Sequence, residues 1–304
     1  MRLWIGITDN EWFEFLRVRP LQEVNFWQPS GKIPTNALAP GIPFLFKLHS
    51  PQNFIVGGGF VVRFSVLPAW LAWTAFGEAN GVGSYEGLRK RLAKYRRTDP
   101  KTDPEIGCNV LNDPFFFEQE EWIKVPEDFK PNTQVGKTYD TENPIGARLW
   151  SAVRERLAST AAREELAIED EARGGRRYLA LARLGQGSFR VLITDAYRRR
   201  CAISGERTLP VLQAAHILPY AEKGPNVVSN GMLLRSDLHT LFDQGYLTLD
   251  PDLHVLVSRR IKEEYENGRE YYRFHGHELA PPPDPGDRPA PAFLNWHRTE
   301  RFKE

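Results

Sequence analysis

At 304 residues the chain is long enough for two domains, each with a core of ordinary size. Its 41% hydrophobic and 26% charged residues place it with soluble globular proteins. Its apolar runs, LPAWLAWTAFG among them, fall short of the roughly 18 residues that a membrane span needs. Two cysteines, Cys108 and Cys201, exclude a disulfide scaffold, and a net charge of +1 means that any nucleic-acid contact must come from local clusters of charge. The opening MRLWIGITDNEWF is interrupted by Asp9 and Glu11, so it does not read as a secretory signal and the cytoplasm is the expected compartment.

The first stretch, residues 1–143, reads as strands mixed with helices, an α+β pattern. LWIGIT, FLFKL, FIVGGGFVVRFSV, GCNVL and FFF are β-type runs, broken by PSGK, APGIP, SPQN and GGG. WLAWTAF and SYEGLRKRLAKY read as helices, the second with a basic face. The expectation is a small, strongly curved sheet or barrel carrying helices. On APGIPFLFKL, FIVGGGFV, IGCNVL, FFFEQEEWI and VGKTYD this segment resembles the PUA-like group, which includes EVE, ASCH and SRA domains. The resemblance implies a domain that reads modified or flipped bases in nucleic acid. A flipped base needs an aromatic face to replace lost stacking and polar groups to read its edge. VNFWQPSGK offers Phe26 and Trp27 for stacking, with Asn25, Gln28 and Ser30 as edge readers. Neighbouring strand residues point to opposite faces, so one of the two rings would line a pocket and the other the core. Trp12, His49, Tyr85 and Asp113 are weaker candidates.

Residues 144–175 are alanine-rich and helix-favouring, with Leu149, Val153 and Leu157 on one stripe and an acidic later part. They read as a connecting helix that ends at Gly174-Gly175 and serves as a spacer.

The second domain spans 176–304. A helix over FRVLITDAYRRR and a sharp turn lead into residues 213–243, QAAHILPYAEKGPNVVSNGMLLRSDLHTLFD. That stretch reads strand, loop, strand, helix, with KGPN and SNG as turn chemistry and Ser236 as the helix N-cap. On such a helix His239 and Asp243, four residues apart, face the same way, and His216 sits on the first strand. Arg198, Arg199, Arg200, Lys223 and Arg235 cluster around the stretch and are candidates for contact with a phosphate backbone. Beyond it, YLTLDPDLHVLVS reads as a hairpin, IKEEYENG as a short helix, APPPDPGDRPAP as extended chain, and FLNWHRTERF as a closing helix with Phe293, Leu294 and Trp296 turned inward.

On CAISG, AAHILPY, NGMLL and LHTLFDQG this half resembles the HNH nucleases of the ββα-metal class. The resemblance implies that His216 is the general base, that Asn230 braces the loop and orients that base, and that His239 is a metal ligand, with Asp243 where some members place another. Phosphodiester hydrolysis needs a deprotonated water and a cation on the developing charge. A neutral imidazole supplies the first near neutral pH, and a divalent metal the second. The carboxylate favours Mg²⁺ or Mn²⁺, while the imidazole leaves Ni²⁺, Co²⁺ or Zn²⁺ open. Many members carry an Asp ligand directly before the base, and here that position is Ala215. Asp237, Asp250 and Asp252 are nearby carboxylates that could complete the shell. Ser204 stands where a second zinc thiolate would follow Cys201, so no structural zinc is expected.

Together these readings imply a modification-dependent endonuclease of restriction type. It would act on double-stranded DNA carrying modified cytosine, as a homodimer or as paired copies for double-strand cleavage, and without a membrane partner. The alternatives are an HNH enzyme that recognises unmodified sequence, and a non-catalytic nucleic-acid-binding protein with a degraded site.

Overall fold

The computed structural model describes residues 1–31, 38–157 and 184–304. The chain forms two compact units, Met1–Ser188 and Phe189–Glu304. The expected helix end at Gly174-Gly175 and the expected domain start at 176 lie outside the described residues. Among the described residues, no helix is long and apolar enough to cross a membrane.

The first unit is built on a seven-stranded sheet. Its strands are β1 (Arg2–Thr8), β2 (Glu23–Gln28), β3 (Pro43–Leu48), β4 (Phe54–Pro68), β5 (Glu105–Phe116), β6 (Ile123–Lys124) and β7 (Gly136–Asp140). They lie in the order β2-β5-β4-β3-β1-β7, with β6 on β4. β1 and β3 run parallel and the other pairs antiparallel. The path is therefore open among the described residues, not closed as a barrel, and register shifts along β3–β4 and β4–β5 add local twist. The GGG run is not a break but part of β4. A Cβ on Gly57 would stand 2.2 Å from the Phe115 carbonyl oxygen, and one on Gly58 2.6 Å from that of Phe44. Close approach of neighbouring strands is what requires glycine there.

Among the described residues, four helices accompany the sheet: α1 (Asn10–Leu16), α2 (Ala69–Phe76), α3 (Tyr85–Arg96) and α4 (Pro144–Leu157). α1 was not anticipated, and its cause is a cap: Asp9 Oδ1 accepts from the backbone N–H of Glu11 at 2.8 Å and of Trp12 at 3.2 Å. α4 is more than a spacer. Its stripe of Leu149, Val153 and Leu157 is buried with Leu3, Ile5 and Leu45 of the sheet, so the helix contributes to this unit's core.

The second unit opens within α5 (Gln186–Ala196) and continues through β8 (Leu212–His216), β9 (Gly231–Arg235), α6 (Ser236–Asp243), β10 (Leu247–Leu249), β11 (Val255–Val257), α7 (Arg260–Tyr265), α8 (Arg269–Tyr272) and α9 (Pro291–Glu300). β8 and β9 pair antiparallel, with Leu212 opposite Arg235 and His216 opposite Gly231. Ile193, Ala215, Met232, Leu234, Leu238 and Phe242 lie in one buried cluster that clamps α5, the hairpin and α6 together. α5 stops at Ala196 instead of running through the arginines, because Arg198 and Arg199 take positive φ and the Arg199 N–H turns back to the Thr194 carbonyl at 2.9 Å. β10 and β11 form the expected hairpin, its turn held by Asp250 Oδ1 accepting from the N–H groups of Asp252 at 2.9 Å and His254 at 2.8 Å. On α9 the inward pair is Leu294 and His297, with Trp296 only half-buried.

Candidate active site

The β8–β9 hairpin and α6 together form the walls of a cleft of about 320 Å³ lined by Ala214, His216, Pro219, Tyr220, His239, Asp243 and Arg301. His216, the last residue of β8, lies with its ring stacked on Phe189, centroids 3.8 Å apart and planes 11° from parallel. Its Nε2 stands 2.8 Å from Oδ1 of Asn226. A carbonyl oxygen only accepts, so Nε2 carries the proton and Nδ1 is left as the basic nitrogen. Burial lowers the pKa of His216, partly countered by the Asn226 hydrogen bond and the charge of Asp243. The imidazole is therefore neutral at neutral pH.

Asn230 is fully buried at the end of the 14-residue loop between the strands. Its Oδ1 accepts from the Leu218 N–H at 2.9 Å, and its Nδ2 donates to the carbonyls of Leu218 at 3.0 Å and Pro225 at 2.9 Å. The side chain thus crosslinks the two ends of the loop. Its amide is taken up by backbone, and the residue that holds the imidazole is Asn226, which the sequence presented only as the tail of a KGPN turn. Asn226→Ala is expected to lower kcat about ten- to a hundredfold with KM nearly unchanged, the cost typical of losing a partner that orients a functional histidine. Steady-state kinetics check this, and a rise in KM alone would contradict it.

α6 begins directly after β9. Arg235, not Ser236, occupies the N-cap, and no side chain caps the helix there. Its guanidinium is instead engaged by Asp237 through two hydrogen bonds of 2.6 and 2.8 Å. In this structure each of the two groups is thus engaged by the other. Helical spacing brings His239 Nε2 within 3.2 Å of Asp243 Oδ2. The other ring nitrogen, Nδ1, lies 2.8 Å from Oε1 of Gln213 on β8. With Nδ1 turned to that acceptor, Nε2 is the ring nitrogen that faces the Asp243 carboxylate. With Nε2 unprotonated, two lone-pair donors at this separation make a seat for a cation, close to the roughly 3 Å between adjacent ligands of an octahedral ion with bonds near 2.1 Å. His239 and Asp243 thus fit a divalent metal, and Gln213 is the second residue the sequence did not single out.

Ala215 is fully buried and adds no ligand. Asp250 and Asp252 do not line the cleft. With His254 they place ligand atoms within 4.8 Å of one another at the β10–β11 turn, where Asp250 is engaged by backbone N–H groups. Arg198, Arg200 and Lys223 are exposed, and Arg199 half-buried. Cys201 is buried, its Sγ accepting from the N–H of Ser204 at 3.4 Å and Arg235 at 3.3 Å.

In the first unit, Phe26 and Trp27 are 7% and 9% exposed, so neither ring offers a face to solvent. Phe26 packs against Phe44 and Trp12 at centroid distances of 4.6 and 5.5 Å. Trp27 Nε1 donates to the Asn80 carbonyl at 2.9 Å, and Asn25 Nδ2 to Asn80 Oδ1 at 2.9 Å. Gln28 is half-buried and Ser30 exposed.

Behind the cleft, His297 stacks on Phe242 with centroids 3.7 Å apart. Its Nε2 donates to the Phe242 carbonyl at 3.0 Å and its Nδ1 accepts from the Thr248 hydroxyl at 2.9 Å. Burial lowers its pKa to about 4. Because the folded value lies below the unfolded one, this neutral histidine stabilises fully above about pH 6.5, and the contribution, about 3 kcal/mol, is lost as pH falls from there towards 4. Calorimetry from pH 7.5 to 4 should show that loss in the second unit, and His297→Gln should shrink it. An identical pH slope in the variant would show that His297 is not its source.

One cleft thus brings together His216, His239 and Asp243. The HNH endonuclease family model matches residues 201–255, which contain His216, Asn226, Asn230, His239 and Asp243. The C-terminal unit therefore carries an HNH domain. Among solved structures, a modification-dependent TagI restriction endonuclease is similar over 93% of this chain and 76% of its own, at 15% identity and a TM-score of 0.27. The type IV phosphorothioation-dependent restriction endonuclease ScoMcrA is similar over 78% of this chain and 51% of its own, at 14% identity and a TM-score of 0.20. No curated protein matches the chain.

Proposed function

We propose that the chain is a modification-dependent DNA endonuclease whose HNH unit hydrolyses the phosphodiester and whose N-terminal unit reads the modified base. The observation that carries the hydrolytic half is the cleft itself, which gathers His216, His239 and Asp243 within the segment matched by the family model. The reader half rests on the PUA-like pattern of residues 1–143, with modified cytosine in double-stranded DNA as the substrate class.

In this reading His216 Nδ1 takes a proton from the attacking water. Burial keeps the ring neutral and ready to accept it, while Phe189 and Asn226 fix its plane and tautomer. Asn230 holds the loop so that Asn226 and His216 stay in register. His239 and Asp243 hold a divalent ion, Mg²⁺ or Mn²⁺ by the carboxylate and Ni²⁺, Co²⁺ or Zn²⁺ by the imidazole. When bound, that ion supplies charge neutralisation on the phosphate and its leaving oxygen. Gln213 keeps the His239 proton on the nitrogen that faces away from Asp243.

The test is digestion of matched duplexes carrying cytosine, 5-methylcytosine, 5-hydroxymethylcytosine or a phosphorothioate backbone, each with the five ions in turn. Cleavage confined to a cytosine-modified duplex and dependent on a divalent ion is expected. Equal cleavage of the unmodified duplex would replace this reading with that of an HNH enzyme for ordinary sequence, and no nicking with any ion would leave a DNA-binding protein.

A further inference from the structure

Among the described residues that line the cleft, Arg301 alone carries a permanent positive charge. It comes from beyond the end of α9, outside the segment matched by the family model. The backbone that delivers it is pinned to the end of α6. Lys303 N–H donates to the Gly245 carbonyl at 2.8 Å, and the N–H groups of Arg301 and Phe302 both return to the His297 carbonyl at 3.1 Å. Gly245 has φ +77°, and a Cβ there would stand 1.9 Å from the Arg301 carbonyl oxygen, so the two segments meet backbone to backbone. The turn that ends the metal-binding helix thus fixes where Arg301 leaves the chain. The side chain itself is held loosely, 41% exposed, 3.8 Å from Glu222 Oε1 and 5.8 Å from the centre of the Trp296 ring. An exposed ion pair of that length stabilises little and is easily exchanged for a better anion.

We infer that Arg301 binds the non-bridging oxygens of the scissile phosphate, an inference that rests on the nuclease reading above. Apart from the ion that His239 and Asp243 would hold, the cleft lining offers those oxygens imidazoles and the Tyr220 hydroxyl, and no second positive charge of its own. A guanidinium presents paired N–H donors that match two phosphate oxygens, and charge developing on them in the transition state strengthens both bonds. In the free protein Glu222 holds the guanidinium at the cleft rim, and an entering phosphate displaces it.

The experiment compares wild type, Arg301→Gln, Arg301→Lys and His216→Ala in two assays. One is nicking of supercoiled plasmid carrying 5-methylcytosine in Mn²⁺, and the other is binding of an unmodified duplex without divalent ion across a salt series. Arg301→Gln should nick about a hundredfold more slowly or worse, with unchanged melting, and should reduce the salt slope of binding by about one. Arg301→Lys should restore the slope but recover the rate only in part, since a point charge lacks the paired geometry; it also serves as the comparison should the glutamine variant melt early. Nicking by Arg301→Gln at the wild-type rate while His216→Ala is inactive would overturn the role of Arg301 and leave the nuclease reading standing. A wild type that nicks nothing, with the slope still reduced in Arg301→Gln, would overturn the nuclease reading and leave Arg301 as a backbone contact; an unchanged slope would overturn the contact itself.

Discussion

Replacing His216 by alanine is expected to lower strand cleavage by about 10²- to 10⁴-fold, the range for losing a positioned general base, while DNA affinity stays close to that of the wild type. The two readouts separate because a neutral imidazole at the floor of a cleft contributes little to backbone binding, which is carried by charge. The wild-type profile carries a second signature. Burial shifts His216 downward, so the acid limb of kcat/KM should fall below the ordinary histidine value of about 6.5. That limb should be missing from the residual activity of the variant. Parallel loss of cleavage and affinity would instead assign His216 a structural role.

Asn230→Ala is expected to damage stability and turnover together. The side chain is fully buried and makes three hydrogen bonds to half-buried loop backbone, so its removal leaves one N–H and two carbonyl groups without that partner. At about 1–3 kcal/mol for each group left unsatisfied, a loss of at least about 2 kcal/mol follows, and the loop that carries Asn226 is freed. Asn230→Asp should be no better. It keeps the acceptor for Leu218 N–H but sets a negative oxygen against two carbonyls. Urea unfolding of both variants beside their kcat values checks this. A variant of wild-type stability and rate would remove Asn230 from the site.

The residues that could be read from the sequence share one property: their geometry is local. His239 and Asp243 meet because a helix brings i and i+4 together, and His216 and Asn230 belong to a hairpin whose ends are marked by turn chemistry. Asn226 is only ten residues from His216, yet a proline-asparagine turn has no reason of its own to aim an amide at an imidazole. The path of the loop, set by Asn230, does that. Gln213 and Arg301 are reached through strand twist and docking of α9, which no periodicity records. The same holds in the first unit. Helix α4 was legible as an apolar stripe, but the sheet that covers the stripe was not. The glycines of β4 looked like a turn because close strand approach and a chain reversal call for the same residue. Phe26 and Trp27 suited a base pocket by type, and their exposures of 7% and 9% show the rings spent on packing.

The central claim is that an imidazole and a carboxylate on α6 seat a divalent cation opposite the His216 base. It is tested most directly by following plasmid nicking under metal titration for the wild type, His239→Ala and Asp243→Ala. Nicking that appears with Mg²⁺ or Mn²⁺, stops in excess chelator, and in either variant is lost or needs far more ion is the predicted result. Nicking that persists in chelator, or that proceeds in both variants at the wild-type rate and ion requirement, would contradict it.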